Sequence, residues 1–75
     1  NFKNYDNILV NINKNEIIKE AKSYFKKLAL HGTIHLSGFY TLDEGSIKKK
    51  FENLGLKLKR KKRKNKWSLL IFEKL

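Results

Sequence analysis

The small polar residues of this chain that could do chemistry sit where two short apolar runs stop. Asn7-Ile8-Leu9-Val10 runs into Asn11-Ile12-Asn13, and Thr33-Ile34-His35-Leu36 runs into Ser37-Gly38-Phe39-Tyr40. A primary amide offers two donors and an acceptor, so Asn11 could orient a bound ligand. Ser37 and Gly38 are small enough to let a ligand or a backbone approach closely. Phe39 and Tyr40 could wall a pocket or belong to the core. Both asparagines also have a plain alternative, as strand-end residues that cap a following helix. Two strands that end together over such residues would place them at a crevice, because ligands of open α/β sheets bind at the carboxyl ends of the strands.

Composition narrows the chemistry. The chain has 75 residues, enough for one domain or part of one. It has no cysteine, which removes disulfides, thiolate nucleophiles and sulfur metal sites. Two histidines, His31 and His35, are too few for a histidine cage, so no metal is expected. Absence of disulfides fits a reducing cytosol, and a cytoplasmic location is expected. No apolar run approaches the ~20 residues of a membrane span. Asn1 to Asp6 is polar, unlike a signal peptide. The lack of an initiator methionine suggests a piece of a longer protein. A formal net charge of +11 favours anionic partners.

The elements that would position these residues follow from periodicity. Asn7 to Val10 reads as a strand buried on both faces. Asn13 or Asn15 can cap a helix whose stripe is Ile17, Ile18, Ala21, Phe25 and Leu28. Gly32 is the expected left-handed stop, and His31 the expected partner of the helix dipole. A strand from Thr33 to Ser37 would then pair in parallel with the first, through a right-handed crossover. Its His35 should be a packed or hydrogen-bonded residue rather than a base. Thr41 and Glu44 have capping-box spacing for a second helix with the stripe Ile47, Phe51 and Leu54, ended by Gly55. Leu56 to Lys59 alternates as a half-exposed strand, and Trp67 to Phe72 is apolar on both faces. Arg60 to Lys66 is too polar to bury and reads as a hairpin tip. The order is strand, helix, strand, helix, strand, strand, an α/β arrangement with the last pair antiparallel.

From Lys59 to Lys66 every residue except Asn65 is lysine or arginine. Such a strip, with Arg60, Lys61, Lys62, Arg63 and Lys64 at its centre, could bind phosphates without sequence preference. Trp67 beside it could stack on a base. The alternatives are a solvated hairpin with Trp67 packed in the sheet, or a free-standing RNA-binding module built on the Lys57 to Lys66 hairpin.

Tyr5-Asp6-Asn7-Ile8-Leu9-Val10-Asn11-Ile12-Asn13-Lys14-Asn15, then Leu36-Ser37-Gly38-Phe39-Tyr40, then Lys64-Asn65-Lys66-Trp67 closely resemble the PrmA family, class I methyltransferases that modify a ribosomal protein with S-adenosylmethionine. The likeness runs from about Tyr5 to Lys74. It implies that residues 1–75 are the carboxyl-terminal half of the catalytic domain, a partial Rossmann-like sheet in one fragment. The last strand would lie antiparallel between the two preceding ones, with the Asn7 strand at an edge. It further implies that Asn11 orients the amine nucleophile, by positioning and desolvation rather than covalent catalysis. Ile12, Asn13, Ser37, Gly38 and Phe39 would line the substrate side of the pocket. The partners implied are a ribosomal protein substrate and the missing amino-terminal half of the fold, with no membrane, and a weak RNA contact could accompany them. Departures exist: Val10 stands where the family usually has alanine, and Leu30-His31-Gly32 where it often has a Pro-Gly-Gly turn. The glycine-rich cofactor loop and the ribose-holding acid are absent from this stretch. The chain alone is therefore expected neither to bind S-adenosylmethionine nor to turn over.

Overall fold

Helix α1 (Lys14–Lys27) begins where Asn13 Oδ1 accepts the Glu16 backbone N–H at 3.0 Å, so Asn13 is its cap. Glu16 suits the positive first turn, and Lys26 and Lys27 suit the negative last turn. The computed structural model describes residues 4–75, and the first three residues of the polar opening lie outside it. Before α1 comes β1 (Tyr5–Asn11); after it come β2 (Leu28–Tyr40), a 3-10 turn (Thr41–Asp43), α2 (Glu44–Asn53), β3 (Leu56–Lys64) and β4 (Trp67–Lys74). The sheet order is β1-β2-β4-β3. β1 pairs parallel with β2, and β4 pairs antiparallel with both β2 and β3. The expected topology is present, with the last strand in the middle and β1 at an edge.

Both helices cover the same face. Val10, Ile34, Leu36, Leu70, Phe72 and Leu56 from the sheet pack with Ile17 and Ala21 of α1 and with Ile47 and Phe51 of α2. Phe51 and Phe72 stack at 5.2 Å between ring centroids. The opposite face is open among the described residues. Leu9 is 79% exposed there, so β1 is not buried on both faces as its apolar run suggested. An edge strand covered on one side alternates, and here only Val10 is buried within it.

Several local expectations are corrected. The helix does not end on a left-handed Gly32. Leu28 leaves α1 directly in an extended conformation, its N–H bonded to the last turn. The Lys74 ammonium caps the helix end, donating to Phe25 O and Leu28 O at 2.9 Å each and lying 4.3 Å from the Phe25 ring centroid. β2 therefore starts at Leu28, ahead of Thr33, and bulges where the register jumps from Tyr5↔Leu28 to Asn7↔Thr33. His31 takes the left-handed backbone in that bulge, at φ 67°. Its ring faces Glu73 at 3.7 Å instead of the helix dipole. Gly32 is buried, and a Cβ there would stand 2.9 Å from Ala29 O and 3.0 Å from Asp6 O. The Thr41–Glu44 capping box does not form, since neither side chain caps α2. Leu54 is the C-cap of α2 and is half-buried, while Gly55 follows the helix as expected. The basic run is not a loop: β3 carries it in extended backbone to Lys64, and a turn at Asn65 and Lys66 closes the hairpin with Asn65 at φ 57°.

Phe72 is fully buried at the centre of this core, against Phe51. Phe72→Ala should cost about 3–5 kcal/mol. A domain this small has roughly that much stability in total, so urea titration followed by circular dichroism should show no cooperative transition in the variant and a clear one in the parent.

Candidate functional site

The carboxyl ends of β1 and β2 meet at one corner of the molecule. Asn11 stands directly opposite Ser37 in the parallel register. Ser37 Oγ donates to Val10 O at 3.4 Å, which ties the two strand ends together. Gly38 comes next at φ 90°, a left-handed conformation that side chains rarely adopt. A Cβ at Gly38 would be driven into Asn11 Oδ1 and would lie 3.0 Å from both Ile12 N and Ile12 O. Gly38 thus gives the Asn11 amide its place. Ile12 is exposed beside it, with its backbone packed on Gly38.

Gly38 also sets the phase of the last two residues of β2. Ile34 and Leu36 point into the core, so Gly38 and Tyr40 should share their side by simple alternation. The register between β2 and β4 shifts between Leu36 and Phe39. After that bulge Phe39 is buried at 1% exposure and Tyr40 is 48% exposed. Of the two aromatics, Tyr40 rather than Phe39 presents its ring to the corner, where it stacks on Trp67 at 4.5 Å and 23°. Trp67 is 49% exposed, not packed within the sheet. Its outward direction was readable: it lies out of phase with the buried Leu70 and Phe72. The bulge that turns Tyr40 outward was not.

Two shallow hollows share Gly38 and Trp67. One, of ≈ 380 Å³, is bounded by Asn13, Lys14 and Asn15 at the start of α1, by residues 38–40, and by Asp43. The other, of ≈ 490 Å³, is bounded by Asn11, Ser37, Gly38, Trp67 and Ser68. Lys14 and Asp43 approach to 3.9 Å across the rim. The structure therefore brings Asn11, Ile12, Asn13, Ser37 and Gly38 together, with the Phe39 side chain turned into the core. Asn13 spends its carbonyl on the helix cap, whereas Asn11 is an exposed residue whose Oδ1 lies over Gly38. His35 lies within 3.3 Å of Thr33 Oγ1, which itself donates to Asn7 Oδ1 at 2.7 Å, so it belongs to a polar ladder away from the corner. Among the described residues no cluster of three or more histidine, aspartate or glutamate side chains could hold a metal ion. No helix of the described residues is long and apolar enough to cross a membrane. What the corner offers is an exposed amide, small residues and an aromatic wall, a set suited to aligning a ligand.

A buried carboxylate holds the wall in place. Glu44 accepts from Arg63 Nε at 2.9 Å and from Arg63 Nη2 at 2.8 Å, a bidentate pair, and from Ser68 Oγ. Lys61 lies 3.7 Å away. Thr41 Oγ1 is 3.0 Å from Ser68 Oγ, and the Thr41 N–H donates to Lys66 O at 2.7 Å. These contacts fasten the residues just after Tyr40 to those flanking Trp67. The Arg63 hydrogen bonds, reinforced by Ser68 and the nearby cations and opposed by burial, hold the Glu44 carboxyl down at about 2.

No protein-family profile matches the chain. Several curated proteins match nearly all of it. One, from Porphyromonas gingivalis, is 38% identical over 68 residues, covering 91% of this chain and 23% of that protein. Another, from Bacteroides thetaiotaomicron, is 32% identical, covering 91% of this chain and 24% of that protein. Both are ribosomal protein L11 methyltransferases. The chain matches their carboxyl-terminal part and spans about a quarter of their length. A ribosomal protein L11 methylase from Lactobacillus delbrueckii subsp. bulgaricus superposes with a TM-score of 0.90 at 20% identity, over 97% of this chain and 38% of that one. The fold is accordingly a partial Rossmann-like methyltransferase sheet, as the PrmA resemblance implied.

Three measurements test the corner and the helix behind it. Gly38→Ala should lose about 1–3 kcal/mol from its backbone alone and should shift the Asn11 side-chain amide resonances in NMR spectra. Gly45→Ala, with open space around it in α2, should gain about 0.5–1 kcal/mol. For Glu44, a carboxyl lowered from 4.5 to about 2 in the folded state stabilises the fold above the unfolded value and stops doing so as pH falls through the folded one. Acid titration should therefore show a loss of stability between about 4.5 and about 2 that Glu44→Gln abolishes, leaving a lower but flatter profile.

Proposed function

We propose that this chain forms the acceptor-side wall of the methyl-transfer pocket in a cytoplasmic S-adenosylmethionine-dependent ribosomal protein methyltransferase. The single observation that carries the reading is the exposed Asn11 amide, seated on Gly38 opposite Ser37 at the strand ends of a methyltransferase fold. The corner fits the methyl-bearing end of the cofactor, because its residues are small or aromatic and leave an open amide. When bound, the cofactor supplies an activated methyl group.

Asn11 accepts a hydrogen bond from the incoming amine through Oδ1 and so aims the nitrogen lone pair along the transfer axis. The Tyr40–Trp67 stack lies along the approach and excludes water from one side of the amine. Alignment of this kind can supply several kcal/mol of the barrier without a covalent intermediate. The glycine-rich loop and the ribose-holding acid that the PrmA resemblance implies fall outside this stretch, so cofactor grip is assigned to the rest of the parent protein. The substrate class is that of the relatives, which are named for ribosomal protein L11.

In the parent enzyme, Asn11→Ala should lower kcat about 100-fold with little change in cofactor affinity. An unchanged kcat would remove the role given to Asn11. Calorimetry on the 75-residue chain should detect no S-adenosylmethionine binding, and micromolar affinity there would overturn the assignment of cofactor grip to the missing part.

A further inference from the structure

The basic run of β3 is divided between two faces, and we infer that one of them is an RNA-binding row. Residues directly opposite each other in neighbouring strands share a face of the sheet. Lys61 opposes Leu70 and Arg63 opposes Ser68, both buried, so these two cations lie on the helix-covered side. Glu44 pairs with both of them there. Lys57, Arg60, Lys62 and Lys64 oppose Glu73, Ile71, Leu69 and Trp67 on the open side. Lys59, at the bulge, is held by Glu73 at 3.3 Å. Among the described residues, Arg60, Lys62, Lys64 and the turn residue Lys66 are exposed and pair with no carboxylate.

Alternate residues of a strand stand ~6.7 Å apart, close to the phosphate repeat of an extended nucleic-acid strand. From Arg60 to Lys64 the row runs ~13 Å along the sheet edge and ends beside Trp67, whose half-exposed indole can stack on a base. Lysines on an edge strand also discourage edge-to-edge pairing, but one or two suffice for that, and it does not require them in file on one face. A single file suits a line of phosphates better than the plane of a bilayer. Choosing RNA over a bilayer also rests on the proposed methyltransferase reading, since a ribosomal protein is met in the company of RNA; the row itself does not rest on it.

Fluorescence anisotropy with a labelled mixed-sequence single-stranded RNA tests the row in the whole chain, with no methyl transfer to be read. R60Q/K62Q/K64Q should weaken binding about 100-fold at ~0.1 M salt and lower the salt slope by about 2. K48Q/K49Q/K50Q removes the same charge from exposed positions of α2 and should weaken it less than about fivefold. Melting by circular dichroism reports whether the first variant folds, and the single K62Q should give about a fivefold loss on its own. Equal losses from the two triple variants would overturn the inference. So would absence of RNA binding by the parent chain, or tighter binding to phosphatidylcholine–phosphatidylserine vesicles than to RNA.

Discussion

The left-handed backbone of Gly38 is the constraint on which the corner depends. It inserts the bulge that reverses the phase of β2, sending Phe39 into the core and Tyr40 out to Trp67. It also vacates the space that the Asn11 amide fills. One residue without a Cβ therefore settles both what the pocket wall is made of and where its amide points. A bulge at the mouth of a sheet commonly serves to re-aim a side chain in this way. Its cost is local, because the register on either side of it is regular.

Glu44 complements that constraint from the other side of the sheet. A buried carboxylate is expensive unless its oxygens are fully engaged, and here Arg63 and Ser68 engage both. The arrangement converts part of a strongly basic strand into a structural tie between α2 and the β3–β4 hairpin. It also explains how Lys61 and Arg63 can stand on the core side of the sheet beside Leu70 and Ser68. Apart from Lys59, which Glu73 holds, the remaining cations of β3 pair with no carboxylate among the described residues and give the molecule a charged edge.

The succession of elements was legible in the sequence because they are separated by periodicity that does not depend on tertiary detail. The helix stripe of Ile17 and Ala21, the stripe of Ile47 and Phe51, and the order of elements along the chain follow from spacing, whereas the place of the last strand between its two neighbours followed from the PrmA resemblance. The strand ends that hold Asn11 and Ser37 were legible for the same reason. What escaped was decided by contacts distant in sequence. Lys74, forty-nine residues from Phe25, takes the part expected of Gly32 at the end of α1. Arg63 and Ser68 draw Glu44 away from the cap that its spacing with Thr41 suggested. The basic run looked too polar to be a strand, yet an edge strand exposes enough of each side chain to hydrate its charge.

The position of β4 has a consequence for how the sheet comes into being. β2 and β3 do not touch one another in the ladder; each is joined to β4, which comes after both in the chain. During synthesis, the parallel β1–β2 unit and the emerging β3 have no mutual backbone partner until the segment from Trp67 to Lys74 has left the ribosome. Assembly then resembles closing a gap with a keystone more than extending a ribbon, and β2 and β3 each wait with an unpaired flank. Such delayed, non-local pairing slows folding and lengthens exposure to aggregation.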